Sequence, residues 1–145
     1  MNKVSIEKVS IIIPVHNASK TISSLVDKIQ KEINIYKELE IVLVNDGSSL
    51  DNSLEVCESI AYKNPTVKFI NLSRNFGYHN AVLAGLNFCT GDCAVIMDDD
   101  FQNSPEDLKM LFDYSYSNNF DVVYTNYKSK KHKNIYKNSS ECCKK

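Results

Sequence analysis

The sequence is poor in glycine and has no long apolar run, and both absences exclude classes of protein. It contains four glycines, and no strand-like segment is followed by Gly-x-Gly-x-x-Gly, which argues against a nicotinamide-binding domain. No apolar stretch approaches the ~20 residues that a helix needs to cross a bilayer. The first eight residues are polar, unlike a signal peptide. We therefore expect a globular protein of the cytoplasm.

The cysteines and the net charge also lack a diagnostic pattern. Five cysteines show no metal-ligand spacing, and their odd number indicates reduced thiols rather than a disulfide framework. The net charge is −1, but the segment from Tyr127 onward holds seven Lys and one Glu, so an acidic body precedes a basic tail. This distribution is not that of a nucleic-acid-binding domain, and we expect no nucleic-acid partner.

Apolar, β-branched runs alternate with amphipathic segments along the 145 residues. Strands are predicted at Val9–Val15, Glu40–Asn45, Val67–Leu72, Asp92–Asp98 and Asp121–Thr125. Helices are predicted at Ser19–Tyr36, Leu50–Tyr62, Asn75–Phe88 and from Ser104 onward, with the third burying Val82, Leu83, Leu86 and Phe88. The alternation predicts an α/β fold with a parallel sheet over residues 1–126. Residues 127–145 are expected to form a largely disordered tail.

Unusual polar residues follow each of the first four predicted strands. The four segments are Pro14-Val-His-Asn17, Asn45-Asp-Gly-Ser48, Ser73-Arg-Asn-Phe-Gly77 and Asp98-Asp-Asp-Phe-Gln102. Ligands of an open parallel sheet bind beyond the carboxyl ends of its strands. These segments are therefore predicted to gather at one edge as a single site.

The acidic triplet is the sharpest of these features. Three adjacent carboxylates repel one another unless a cation is present, and in an extended segment Asp98, Asp100 and Gln102 would project to the same side. Oxygen ligands of this kind suit Mg²⁺ or Mn²⁺. The alternative is a solvated acidic turn that caps the next helix. The neighbouring polar loops favour the metal site.

The other candidates have plain structural interpretations. Asp46 precedes Gly47 and fits a turn residue, and Arg74 fits a helix cap or a surface ion pair. His16 and His79 are interpreted as packing or hydrogen-bonding residues rather than catalysts.

Taken together, the motifs resemble family 2 glycosyltransferases of the GT-A fold. Residues 72–85 and 98–106 look like the branch that transfers sugars to polyprenyl (dolichyl or undecaprenyl) phosphate. The resemblance covers residues 8–126 and implies a Rossmann-like, mostly parallel sheet flanked by helices and truncated after about five strands. Family members continue well beyond this length, so an incomplete domain is expected.

The resemblance also assigns roles to individual residues. Pro14, Val15 and Asn17 would line the nucleoside pocket, and Asp46 would hydrogen-bond the uracil or guanine ring. Arg74 and Asp99 are placed with the nucleotide-binding residues, although Asp99 stands where the family usually has a small residue. The metal ligands would be Asp98, Asp100 and Gln102, of which Asp98 and Asp100 are also the expected catalytic residues.

Two positions depart from the family pattern. Asn45 replaces the first Asp of the usual Asp-Asp-Gly-Ser. Tyr127 stands near an expected Arg, for which Lys128 or Lys130 would substitute only as a point charge.

The implied reaction is a metal-assisted, inverting transfer from a UDP- or GDP-sugar to a polyprenyl phosphate, with Mg²⁺ or Mn²⁺ as cofactor. A saccharide hydroxyl acceptor and a nucleotide- and metal-binding fragment without turnover stay open as alternatives. A phosphatase is disfavoured, because no nucleophilic Asp follows the first strand. The basic tail predicts peripheral contact with the inner face of the membrane. Apolar surface left by an incomplete domain predicts self-association.

Overall fold

The structure, a computed structural model, describes residues 7–33, 38–101, 104–118, 120–128 and 132–135. The chain divides into two compact units, Met1–Glu106 and Asp107–Lys145. The first unit carries the main sheet, and the polar segments predicted to form the site fall within it.

Four parallel strands form the sheet of the first unit, in the order β3-β2-β1-β4. Their bounds are Lys8–Val15 (β1), Glu38–Asn45 (β2), Val67–Asn71 (β3) and Cys93–Ile96 (β4). The central strands β1 and β2 are nearly continuous aliphatic runs, as expected for strands buried on both faces. Ile11 pairs with Ile41 and with Val95 across the sheet. The first four predicted strands are confirmed close to their predicted positions.

Three helices connect these strands: α1 (Ile22–Glu32), α2 (Ser53–Lys63) and α3 (Tyr78–Phe88). The predicted apolar face of α1 is confirmed, because Ile22, Leu25, Val26 and Ile29 are buried. Part of the first predicted helix, residues 34–37, lies outside the described residues. No helix within the described ranges is both long and apolar enough to span a bilayer.

Helix α3 packs on the sheet through its small residues, so the predicted core of this helix is wrong. It buries Ala81 and Gly85 and leaves Leu83, Leu86 and Phe88 more than 40% exposed. A Cβ added at Gly85 would overlap the Ile12 side chain. The helix lies so close to β1 that only small side chains fit between them.

The fifth strand lies later than predicted and belongs to a different sheet. Helix α4 (Glu106–Asn118) begins at the last residue of the first unit and continues in the second. It precedes β5 (Thr125–Lys128), which pairs antiparallel with β6 (His132–Ile135). The side chains of Val122 and Tyr124 are 62% and 72% exposed, although their residue types favour a strand. An antiparallel partner needs only a short connection, so the backbone pairs with the nearest downstream segment. Strand β6 also shows regular structure within the expected disordered tail. Residues 129–131 and 136–145 of that tail lie outside the described residues.

A buried carboxylate ties the sheet together near the amino ends of β1 and β2. The Glu40 side chain is 4% exposed. It accepts hydrogen bonds from the Ser10 hydroxyl at 2.6 Å and from the Thr90 amide and hydroxyl at 2.7 and 2.8 Å. It also pairs with Lys68 Nζ at 2.6 Å. Burial by itself raises the pKa of Glu40, but the hydrogen bonds from Lys68, Ser10 and Thr90 outweigh it and lower the pKa to about 2. This network stabilises the end of the sheet opposite the polar loops.

Candidate functional site

The polar segments that follow the strands meet in one cleft of about 320 Å³, at the edge where the sequence predicts the site. The cleft is lined by Pro14, Val15, His16, Asp46, Asn75, Gly77, Tyr78, Asp98, Asp99 and Asp100. Six residues assigned to the site by resemblance therefore come together here: Pro14, Val15, Asp46, Asp98, Asp99 and Asp100.

Asp46 holds the loop that leads into α3. Its side chain is almost fully buried, and its two oxygens accept the backbone N–H groups of Phe76 at 2.7 Å and Gly77 at 2.9 Å. Gly47 has a φ of 59°, and a Cβ added there would overlap the backbone of Arg74 and Asn75. The Asp-Gly pair is thus both a turn, as its composition indicates, and the support on which the next loop rests.

Asn17 forms hydrogen bonds with the turn after β2 and does not line the cleft. It adopts a φ of 56°, which asparagine tolerates better than most residues. Its Oδ1 accepts the N–H groups of Ser49 and Leu50 at 3.2 and 3.1 Å, and its own N–H donates to Ser48 Oγ at 3.0 Å. These bonds fix the loop that follows β1 (the β1 loop) against the loop that follows β2 (the β2 loop).

Arg74 also lies apart from the cleft lining. Its guanidinium carbon sits 4.8 Å from the centre of the Phe76 ring, a distance typical of a cation–π contact. The hydrogen bonds of His16 (to the carbonyl of Asp46 and to the side chain of Asn17) agree with its interpretation as a hydrogen-bonding residue.

The acidic triplet does not lie in an extended strand. Strand β4 ends at Ile96, and Asp99 and Asp100 form a turn. The prediction that Asp98 and Asp100 project to the same side of an extended segment is therefore wrong, because the strand ends before Asp98 and the chain turns at Asp99 and Asp100. All three carboxylates nevertheless line the same cleft. Gln102, the third expected metal ligand, lies outside the described residues.

Two hydrogen bonds orient the triplet. The Tyr78 hydroxyl donates to Asp98 Oδ1 at 3.0 Å, and the His16 backbone N–H donates to Asp99 Oδ2 at 3.2 Å. Burial raises the pKa of Asp99, the hydrogen bond from His16 opposes that effect, and the charges of Asp100 and Asp98 add to it. Burial and the bond to Asp98 raise the pKa of Tyr78 to about 12. The hydroxyl therefore stays protonated and donates at neutral pH.

The carboxylates fit a divalent cation by their chemistry but do not form a preformed cage. Within the described residues, no group of three His, Cys, Asp or Glu side chains is arranged closely enough to hold a metal ion. Mg²⁺ commonly uses one or two protein carboxylates and completes its shell with water and substrate phosphates. Asp98 and Asp100, two of the carboxylates that line the cleft, suit that mode of binding.

Four cleft residues were not assigned to the site from the sequence: His16, Asn75, Gly77 and Tyr78. Their one sequence signal is position, since His16, Asn75 and Gly77 lie within the polar segments that follow strands and Tyr78 comes directly after the segment 73–77. The contact of Tyr78 with Asp98 joins residues 20 positions apart, which no local pattern reports.

Comparison with known proteins supports the fold and places the chain in a family. The model of glycosyl transferase family 2 matches residues 10–141. Undecaprenyl-phosphate 4-deoxy-4-formamido-L-arabinose transferases from Proteus mirabilis (strain HI4320) and Yersinia pestis (strain Pestoides F) are 38% identical over 122 residues. That alignment covers 83% of this chain, and the chain spans 37% of the length of these curated relatives.

Solved structures with the GT-A fold are also similar. A mannosyltransferase from Pyrobaculum calidifontis, in complex with GDP-Man and Mn²⁺, has a TM-score of 0.60 and 25% identity over 68% of this chain and 29% of its own. TarS 1–349 from S. aureus, in complex with UDP-GlcNAc, has a TM-score of 0.62 and 28% identity over 76% of this chain and 31% of its own. The expected α/β, GT-A fold is thereby confirmed. Because the family model also spans most of its length, the chain belongs to glycosyl transferase family 2.

Proposed function

We propose that this chain forms the donor-binding part of a glycosyltransferase that moves a sugar from a nucleoside-diphosphate sugar to a polyprenyl phosphate. The reaction uses a divalent cation and inverts the anomeric carbon. The observation that carries the proposal is that buried Asp46 and the Asp98–Asp100 triplet line one cleft, at the sheet edge where α/β folds bind ligands.

The Asp46 side of the cleft suits the nucleoside. Asp46 uses one acceptor position on each oxygen for the loop amides, and an ionised carboxylate has about four such positions. About two remain for the N–H donors of a uracil or guanine ring. Pro14 and Val15 supply apolar lining beside it. Asn17 contributes by fixing the Ser49–Leu50 turn, and Arg74 is assigned as a donor-side contact.

The acidic side suits Mg²⁺ or Mn²⁺. We assign Asp98, Asp100 and Gln102 as its ligands, and a bound cation would neutralise charge on the departing nucleoside diphosphate. Tyr78 holds Asp98 through its hydroxyl, and the His16 amide holds Asp99. The P. calidifontis mannosyltransferase is in complex with Mn²⁺, which supports a divalent metal as the cofactor.

A polyprenyl phosphate acceptor suits a cleft whose one described imidazole is already engaged in hydrogen bonds. A phosphate oxygen is already ionised at pH 7 and attacks without a general base, whereas a saccharide hydroxyl needs one. The one imidazole among the cleft residues, His16, has partners on both ring nitrogens. The names of the undecaprenyl-phosphate transferases support the same acceptor class.

The second candidate is the same site without turnover. The chain spans 37% of the length of its curated relatives. In this second candidate the chain binds the nucleotide and the metal but does not transfer the sugar. The two candidates share the cleft and differ only in whether product forms.

Calorimetric titration tests the proposal. UDP, UDP-glucose, GDP and GDP-mannose are each titrated with Mn²⁺ and with EDTA. We expect Mn²⁺-dependent binding of one nucleotide family, lost in Asp46→Ala and retained in Asp27→Ala, an exposed carboxylate on α1. A folded sample that binds none of the four would refute the donor site. Turnover with a short polyprenyl phosphate then separates the two candidates.

Two further partners are proposed. The lysine-rich segment 128–145 would rest on anionic lipid at the inner membrane face, at about 1 kcal/mol per Lys near the surface. Equal vesicle co-sedimentation with and without this segment would refute that. The exposed side chains of Leu83, Leu86 and Phe88 would drive self-association, which sedimentation equilibrium measures.

A further inference from the structure

The ring of His16 is exposed, and the orientations of the side chains around it favour one tautomer. Asn17 Oδ1 accepts the backbone N–H groups of Ser49 and Leu50, which only the oxygen of the amide can do. The Asn17 NH₂ group must therefore face the imidazole, with Asn17 Nδ2 3.0 Å from His16 Nε2. This nitrogen of the ring therefore accepts a hydrogen bond.

A second amide leads independently to the same conclusion. Asn75 Oδ1 accepts the Gly77 N–H at 2.9 Å, so the Asn75 NH₂ group faces His16 Nε2, at 3.4 Å. With Nε2 accepting, the proton of a neutral ring resides on Nδ1, which lies 3.0 Å from the carbonyl oxygen of Asp46. A carbonyl can only accept, so Nδ1 donates. Both nitrogens of His16 are thus engaged.

These contacts join three loops through one side chain. The ring of His16 contacts the loop after β2 at the carbonyl oxygen of Asp46, the loop after β1 at Asn17, and the loop before α3 at Asn75. Asn75 in turn binds Gly77, whose N–H also donates to the Asp46 carboxylate. The backbone N–H of His16 reaches Asp99. The imidazole therefore sits where the nucleoside and acidic sides of the cleft meet.

We propose that His16 is a positioning residue, locked as the Nδ1–H tautomer, that fixes the three loops of the donor subsite and takes no proton in the reaction. The effect on ligand binding rests on the donor site proposed above. The tautomer and the loop contacts do not, since they follow from the protein's own hydrogen bonds.

The tautomer is tested first, on the wild-type protein and without nucleotide. Long-range ¹H–¹⁵N correlation distinguishes the two ring nitrogens of each of the three histidines, and loss of a signal in His16→Phe assigns it. We expect a protonated Nδ1 and an unprotonated Nε2. The opposite pattern, or exchange between both tautomers, would overturn the inference.

Matched variants test the positioning role. Asparagine places an amide near Nδ1 and keeps the bond to Asp46, glutamine reaches the Nε2 position and accepts from Asn17 and Asn75, and phenylalanine keeps only the ring shape. We expect nucleotide affinity in Mn²⁺ to fall roughly tenfold or more in His16→Phe and by less in the two amide variants. Amide exchange at Phe76 and Gly77 should accelerate in the same order.

The control is His79→Phe, which keeps an aromatic ring beside Tyr78 and should leave affinity and exchange unchanged. Wild-type affinity and exchange in His16→Phe would refute the positioning role. If the wild-type protein binds no nucleotide, the donor-site proposal fails. The tautomer and the exchange rates would still decide the role of His16.

Discussion

Replacing Asp46 by asparagine tests whether a carboxylate is required to hold the loop that closes the nucleoside side of the cleft. In the wild-type protein, the two oxygens accept the N–H groups of Phe76 and Gly77 at 2.7 and 2.9 Å. An amide has one oxygen, so its NH₂ group would face one of these N–H groups, donor against donor. The substitution therefore removes one charge-assisted bond and weakens the other.

The magnitude follows from the burial of the site. A hydrogen bond to a charged group contributes about 1.5–3 kcal/mol, and Asp46 is 4% exposed, so water does not readily replace the lost partner. We expect the loop to be destabilised by about 3 kcal/mol. The global melting temperature should change less, because the loop can open without unfolding the sheet.

Amide hydrogen exchange at Phe76 and Gly77 measures this loop directly, and calorimetry measures the accompanying loss of nucleotide affinity. Asp51→Asn is the matched control. Its carboxylate accepts the backbone N–H groups of Ser19 and Ser53 at 2.9 and 3.0 Å but does not line the cleft. Unchanged exchange in Asp46→Asn, or an equal loss of nucleotide affinity in Asp51→Asn, would refute the reasoning.

Three further substitutions test the acidic side of the cleft and the buried network. Asp100→Asn should abolish Mn²⁺-dependent nucleotide binding with an unchanged thermal melt, and wild-type affinity would exclude Asp100 as a ligand. Tyr78→Phe removes the bond to Asp98 and should weaken Mn²⁺ binding, measured without nucleotide, by roughly tenfold; an unchanged affinity would contradict this. The pKa of Glu40 is lowered from 4.5 to about 2, so its contribution is complete above pH 4.5 and is lost as the pH falls towards 2. The full shift corresponds to about 3 kcal/mol, which screening at half-exposed Lys68 reduces to roughly 2 kcal/mol. Glu40→Gln should therefore lower the unfolding free energy at pH 7 and flatten its acid dependence, whereas parallel acid curves for the two proteins would disprove the linkage.

The sheet and the position of the site could be predicted because they depend on strong local patterns. The strands β1 and β2 are nearly continuous aliphatic runs, which are typical of a parallel sheet covered on both faces. Once these strands are parallel, topology alone brings their carboxyl ends to one edge. Asp46 and Asp98 could therefore be placed in the same cleft without any knowledge of their contacts.

The details that escaped prediction depend on distances between elements. Large apolar residues mark the expected core face of α3, but the helix approaches β1 so closely that Ala81 and Gly85 form the contact. Periodicity reports side-chain size and spacing, and it contains no measure of how near the sheet will come. The turn at Asp99–Asp100 escaped for a related reason, since the end of β4 is set by its pairing with β1 rather than by its own composition.

The loop before α3 connects the two sides of the cleft, and this connection has a thermodynamic consequence. Phe76 and Gly77 are held by Asp46 on the nucleoside side, and the next residue, Tyr78, holds Asp98 on the acidic side. A nucleotide that orders this loop also orders Tyr78, and a cation that fixes Asp98 restrains the same loop from its other end. Coupling between two binding sites is reciprocal. In the proposed site, the factor by which Mn²⁺ raises nucleotide affinity would therefore equal the factor by which nucleotide raises Mn²⁺ affinity. If the proposed site binds both ligands, we expect the bond between Tyr78 and Asp98 to be a contact through which the protein itself, apart from any direct metal–phosphate bond, contributes to that factor.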